Sequence, residues 1–381
     1  MSEKRFDLLY SEVEEELRAS VRALLEDKSP PSAVLARVES DRVADTALWR
    51  ELAAIGAAGL PVPEESGGAG ASLRESAVVA EELGRAVAPV PFLGSAVLAT
   101  SALLACGPQA AAELDAPARG ESTAAFAVAL ATPPGAAFPE GVRERGGRLD
   151  GTVRGVVDAP AADTLVVPAT GPEGPGMYVV SAGEARITPV VSLDLTRPLA
   201  DIALEDAAGR RVASGADAEQ ALRRALVAGA ALLSAEQLGV AQWALDATVD
   251  YVKDRTQFGR PIGSFQAIKH RLADLWVSIS QARAVVRSAA SAAAAAQEPD
   301  AGAAEHAEAE LNASLAQAFV SPVAVQATEE AVQLHGGIGF TWEHPAHLYL
   351  KRAKSDALAL GTAERHRLAL AGLVDLPAPT G

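Results

Sequence analysis

Apolar side chains recur at helical spacing from residue 8 to residue 118, as in Leu8, Val13, Leu17, Val21 and Leu24 with Glu14, Glu15 and Glu16 between them. That period predicts an all-helical first region. Its helices should break at Ser29-Pro30-Pro31, at Pro61-Val62-Pro63 and at Pro89 to Pro91, because proline cannot continue a helix and drives its predecessor towards extended backbone. Between Glu121 and Val212 the pattern changes to short apolar runs: Phe126 to Leu130, Thr164 to Val167, Met177 to Val180, Ile187 to Val191 and Ile202 to Leu204. Gly, Pro and Asp separate them, so this stretch predicts a β insert. Pro133-Pro134-Gly135 and Gly171 to Pro175 read as loops within it. From Asp217 the helical period returns in three long Ala-rich segments, Asp217 to Arg255, Ser264 to Gln297 and Ala303 to His335. Helices of such similar length are expected to pack together as a bundle. The predicted organisation is an N-terminal helical domain (1–118), a middle β domain (119–213) and a C-terminal helical bundle (214–381).

Composition narrows the function classes. The 381 residues carry 33 Lys+Arg against 49 Asp+Glu, a net charge of −16, and 49% are hydrophobic. Such a chain folds and buries a sizeable core. Cys106 is the only cysteine, which excludes a disulfide scaffold and a cysteine-rich zinc module. The negative charge, without a basic patch, argues against nucleic acid as a partner. The apolar stretch from Ala225 to Leu233 is interrupted by Ser234, Glu236 and Gln237, well short of the ~18 apolar residues of a membrane span. The N-terminus turns acidic where a signal peptide would be apolar, so a cytoplasmic chain with no membrane partner is expected.

Some signals have ordinary explanations. Gly67-Gly68-Ala69-Gly70 lacks the preceding strand of a dinucleotide fingerprint and reads as a turn. Glu343, His344 and His347 lack further ligands and read as a polar helix start, so no metal is expected. Cys106 reads as a small buried hydrophobe. No nucleophile elbow and no phosphate-loop lysine occur.

Two segments carry more. Asp254-Arg255-Thr256-Gln257-Phe258-Gly259-Arg260-Pro261-Ile262-Gly263-Ser264-Phe265-Gln266 connects two long helices and displays an arginine, a phenylalanine and a glutamine, groups suited to gripping a pyrophosphate and covering an adenosine. Gln333-Leu334-His335-Gly336-Gly337-Ile338-Gly339-Phe340 ends another, and its paired glycines either stop the helix or admit a ligand to the backbone.

In this order and domain context the two segments closely resemble the acyl-CoA dehydrogenase superfamily. The resemblance covers essentially the whole chain, with further matches at Leu60 to Gly70 and, weakly, at Leu149-Asp150-Gly151. It implies an acyl-CoA dehydrogenase-like fold: an N-terminal helical domain, a middle β-barrel or sandwich domain and a C-terminal four-helix bundle. It also implies FAD as cofactor, shared between subunits. Arg255, Phe258, Gln266 and Gln333, with the Gly336-Gly337 backbone, would then hold the pyrophosphate and adenosine end of an FAD lying mainly in a neighbour.

The family's α,β-dehydrogenation needs a carboxylate positioned over the substrate's α-carbon. The usual glutamate precedes a Gly-Thr, and here Leu360 occupies that place before Gly361-Thr362. The alternative position falls at Gly229 or next to it. Glu236 reads as a structural helix residue, and Asp356 and Glu364 as surface or bundle-end groups, so no catalytic residue is assigned. The β-domain loop that faces the flavin in the family is reduced to Thr132-Pro133-Pro134-Gly135-Ala136-Ala137 and Gly155. An intact half-site for a neighbour's nucleotide beside an eroded one of its own resembles the non-catalytic, β-type subunit of heteromeric α2β2 acyl-CoA dehydrogenases. That resemblance implies an α-type dehydrogenase partner, a bulky and possibly steroid-derived acyl-CoA substrate and an electron-transferring flavoprotein as acceptor. The alternatives are a self-sufficient homotetramer using Glu236 or Asp356, and a flavin-free scaffold or regulator.

Overall fold

The protein is described by a computed structural model covering residues 8–40 and 43–374. Residues 1–7, on which part of the targeting argument rests, lie outside it.

The first region is helical: α1 (Glu12–Lys28), α2 (Pro31–Val38), α3 (Thr46–Ala54), α4 (Leu73–Ala86), a π-helical stretch Phe92–Ala99 running into α5 (Thr100–Ala105), and α6 (Asp115–Ala118). Ser11 caps α1 and Ser72 caps α4, each in a reciprocal capping box with the glutamate three residues on. This satisfies backbone donors that a helix start leaves unpaired. Pro31 opens α2 at the first helical position, where proline is tolerated. The phase of α1 differs from expectation: Val13 faces solvent while Glu14 is buried against Arg74, Oε1 to Nε 2.9 Å.

The middle region is one sheet, ordered β6 (Ala185–Val190), β7 (Leu199–Ala208), β3 (Arg148–Val157), β2 (Val142–Arg145), β4 (Thr164–Gly171), β5 (Gly174–Ser181), β8 (Arg210–Ser214), with β1 (Ala124–Phe126) parallel to β4. It curls round its own apolar core, where Leu149, Leu165, Tyr178, Val180, Ile202 and Leu204 meet. Two local expectations fail here. Gly171 to Pro175 is not a loop but the tip of the β4–β5 hairpin, Gly171 opposite Gly174, and Val128 to Leu130 leaves the strand for a turn.

The C-terminal region holds α7 (Ala216–Asp254), the short strands β9 (Thr256–Gln257) and β10 (Arg260–Pro261), α8 (Gln266–Ala295), α9 (Ala303–His335), α10 (Ala346–Asp356) and α11 (Ala363–Leu373). The long helices α7, α8 and α9 pack on one another, and α10 and α11 cover α9. α7 is long and apolar enough to cross a membrane, contrary to the reading from its interruptions, but 94% of its apolar window is buried inside the fold. It is the central core helix, packed against α4, α5, α8 and α9.

Candidate functional site

Tyr251, near the end of α7, stacks on His335 at the end of α9 with ring centroids 4.3 Å apart, and its hydroxyl donates to the His335 carbonyl at 3.2 Å. These contacts bring both motif segments to one end of the bundle. Beyond Arg255, the strands β9 and β10 pair with Arg260 opposite Gln257, leaving Phe258 and Gly259 as the two loop residues. Both have positive φ, 54° and 72°, as a type I′ hairpin demands. Asn-Gly is the favoured pair there, and a phenylalanine in left-handed backbone costs about 1–2 kcal/mol. Phe258 is also 90% exposed. Neither the turn nor the core accounts for it.

The surrounding groups are similarly uncommitted. Arg255 and Gln266 are exposed, as is Gln333 near the end of α9. Gly336 has φ 62° and ψ −137°, and apart from the adjoining backbone no described residue places a heavy atom within 4 Å of a Cβ position on Gly336 or Gly337. An incoming ligand can therefore reach that backbone. Ile338, Phe340 and Trp342 follow on the surface, Phe340 74% exposed.

The positions expected to carry a base lie deep in the interior and face one another. Leu360 is fully buried, and a Cβ on Gly229 would stand 3.0 Å from its Cδ1 and 2.5 Å from Cδ2 of Leu98, itself 1% exposed. Leu98, from the π-helical stretch, fills the space between them. The Leu360 N–H donates to the Leu130 carbonyl at 2.7 Å, and its own carbonyl meets His366 Nε2 at 3.0 Å. The neighbouring loop offers few free donors. Pro133 and Pro134 have no N–H, the Thr132 N–H bonds the Ala129 carbonyl at 2.9 Å, and the Gly155 N–H is taken by Asp201 Oδ1 at 2.9 Å.

The remaining acids are committed to structure. Asp356 is not a surface or bundle-end group: it is fully buried in an ionic knot where the three regions of the chain meet. Arg352 of α10 bonds Asp194 and Glu236 and reaches Thr196 Oγ1 at 2.6 Å, and Arg197 bonds Glu236 and approaches Asp356 Oδ1 at 3.4 Å. Asp158 faces the same knot and accepts the N–H of Gly94, at the π-helical stretch, at 2.9 Å. Burial pushes the Asp356 carboxyl up to about 8, its oxygens accepting no hydrogen bond among the described residues. Burial would raise Asp194 too, but Arg352 and Arg197 hold it below its ordinary value. Asp194 and Glu236 thus balance two guanidiniums in a site where an unpaired charge would be costly. Glu236, in α7 as expected, is held by two arginines and is not free to take a proton from a substrate. The sequence signal was the Asp194-Leu195-Thr196-Arg197 run with Arg352 and Asp356 one helical turn apart.

The weaker signals fall into place. The N–H groups of Gly68, Ala69 and Gly70 are spent on the carbonyls of Pro63, Gly59 and Val62, leaving none to cradle a phosphate. His344 Nδ1 accepts the Ala346 N–H at 3.2 Å at the start of α10, and His347 packs on Trp342. Cys106 is half-buried, its thiol pushed up to about 12 by burial.

Residues 194–373 match the acyl-CoA dehydrogenase C-terminal domain and residues 11–114 the N-terminal domain of the same family. The chain belongs to the acyl-CoA dehydrogenase family. Its members are oxidoreductases acting on acyl-CoA, and FAD is the cofactor. An acyl-CoA dehydrogenase IpdE2 of Mycolicibacterium smegmatis is 39% identical over 92% of this chain and 95% of its own, and IpdE2 of Mycobacterium tuberculosis is 40% identical over 90% and 92%. Among solved structures, a Tcur3481-Tcur3483 steroid ACAD variant superposes with a TM-score of 0.81 at 30% identity, over 96% of this chain and 98% of that one. The ChsE4-ChsE5 complex of Mycobacterium tuberculosis superposes at 0.83 and 27% identity, over 98% and 100%.

Proposed function

We propose that the chain is the non-catalytic, β-type subunit of a heteromeric acyl-CoA dehydrogenase. It lends Arg255, Phe258, Gln266, Gln333 and the Gly336-Gly337 backbone to an FAD held mainly by a companion dehydrogenase subunit. The observation that carries this reading is a contrast. At the bundle end an aromatic residue stands 90% exposed in a turn that disfavours it, whereas both base positions are packed shut by Leu98 and Leu360.

The exposed end fits the nucleotide it would serve. An exposed guanidinium suits a pyrophosphate, an exposed ring suits a purine, and open glycine backbone admits close approach. Bound FAD supplies the acceptor for the β-hydride, while this chain's residues hold its far end in register. Exposed Phe340 and Trp342 beside them, with Trp276 on α8, are apolar surface of the kind a partner covers. Support for a two-chain assembly acting on a steroid-derived acyl-CoA comes from the relatives, two of whose structures are named as a steroid ACAD and as a complex of two named chains. An electron-transferring flavoprotein is the proposed acceptor. A self-sufficient homotetramer lacks support, since Glu236 and Asp356 are tied into the ionic knot.

The test is purification of the chain alone and co-expressed with a companion dehydrogenase subunit, measuring flavin per chain and acyl-CoA oxidation. Flavin and activity should appear only in the complex. Arg255→Gln should leave subunit composition unchanged and weaken FAD retention at least tenfold, as loss of a charge-assisted bond implies. Stoichiometric FAD and turnover in the chain alone would refute the assignment.

A further inference from the structure

A cleft of about 960 Å3 opens between the Pro61–Leu73 segment, α5, the first turns of α7 and the α8–α9 connection. It reaches Val227 and Ala228, next to the Leu98–Leu360 plug at Gly229, and its floor is apolar, with Leu73, Leu104, Val227 and Ala294 contributing.

On one wall Arg224 is half-buried with an unusual partner. Its Nη2 lies 2.8 Å from Nε2 of His306, and its Nε is buried with no hydrogen bond among the described residues. A guanidinium only donates, so His306 accepts with a neutral ring. Burial and then the Arg224 charge both lower the affinity of His306 for a proton, against a smaller pull from Glu305. Burial also lowers Arg224, and no carboxylate among the described residues offsets that. The cleft therefore contains a cation facing a neutral ring and apolar carbon, an arrangement that a ligand anion would relieve.

The rim carries the opposite sign. Glu64, Glu65, Glu219, Glu298 and Glu310 line the cleft, against the two cations Arg223 and Arg224. That excess of negative charge repels a ligand bearing several phosphates, such as coenzyme A, while a single carboxylate on an apolar body can pass and pair with Arg224. We propose that this cleft binds an apolar monocarboxylic acid, its carboxylate on Arg224 and its body along the Leu104–Val227 floor. The site is distinct from the nucleotide-gripping end of the bundle and does not depend on the partner-subunit assignment.

Calorimetric titration of the full chain with cholate and with decanoate tests it. Saturable binding of at least one is expected, weakened roughly tenfold or more by Arg224→Gln and partly preserved by Arg224→Lys, which keeps the charge. Free coenzyme A should not displace the bound acid. Absence of saturable binding by either acid, undiminished binding by Arg224→Gln, or displacement by coenzyme A would each overturn the proposal.

Discussion

Phe258 offers the sharpest separation of structural from functional demand, through the substitution Phe258→Asn. Left-handed backbone costs a non-glycine residue about 1–2 kcal/mol, and asparagine, the preferred partner of glycine in a type I′ turn, recovers about 1 kcal/mol of it. The ring contributes little in return. With Phe258 90% exposed, only about 20 Å2 of the roughly 200 Å2 that a phenylalanine can bury is covered, worth about 0.5 kcal/mol. Its edge-to-face contact with Phe265, centroids 6.3 Å apart, adds at most about 0.5 kcal/mol at such an exposed site. The variant chain should therefore be as stable as the parent or slightly more so in urea unfolding. In the two-subunit complex the same variant should lose FAD more readily on gel filtration. Destabilisation beyond about 1.5 kcal/mol, or unchanged flavin retention, would refute the claim that this ring is kept for a ligand.

Two further outcomes follow from the interior. Gly229→Ala should destabilise by about 1–2 kcal/mol, overpacking against Leu98 and Leu360 outweighing a helix-propensity gain of about 1 kcal/mol. In a Leu98→Ala background the same change should become stabilising, and strictly additive effects in a double-mutant cycle would show that the pocket is not plugged. Asp356, with its carboxyl pushed up to about 8, keeps a proton in the fold that the unfolded chain releases near pH 4. Stability therefore falls as pH rises across that interval. Asp356→Asn should reduce the fall in urea midpoint between pH 5 and pH 8, and an equal fall in both proteins would contradict the assignment.

The long helices were legible because a 3.6-residue period survives over many turns: α7 and α9 fall within a residue or so of the expected bounds. Strands β2 and β3 were not, since Arg143, Glu144 and Arg145 and the alternating β3 expose every other residue and resemble loop sequence. The β4–β5 hairpin tip was hidden by Pro172 and the glycines, which mark loops more often than two-residue turns. At the candidate site, the segments holding Arg255, Phe258 and the Gly336-Gly337 pair stood out in the sequence, while the role proposed for them rests on the family resemblance. The ionic knot was signalled only by the Asp194–Arg197 run and the Arg352–Asp356 spacing, because charged residues of this kind look like surface groups until folding desolvates them together, and Leu98 entered only through contact across the fold. Arg224 and His306 are separated by 82 positions, and no local pattern connects them.

The knot also limits how the chain can be divided or recombined. Asp158, Asp194 and Arg197 come from the sheet region, Glu236, Arg352 and Asp356 from the helices behind it, and Gly94 from the helices before it. A fragment cut between these regions would carry stranded guanidiniums or carboxylates on a newly exposed face. A chimera that imports a relative's sheet must import compatible charges at 158, 194 and 197 or lose its hinge of attraction. The three regions behave as instruments tuned to one pitch, exchangeable only as a matched set.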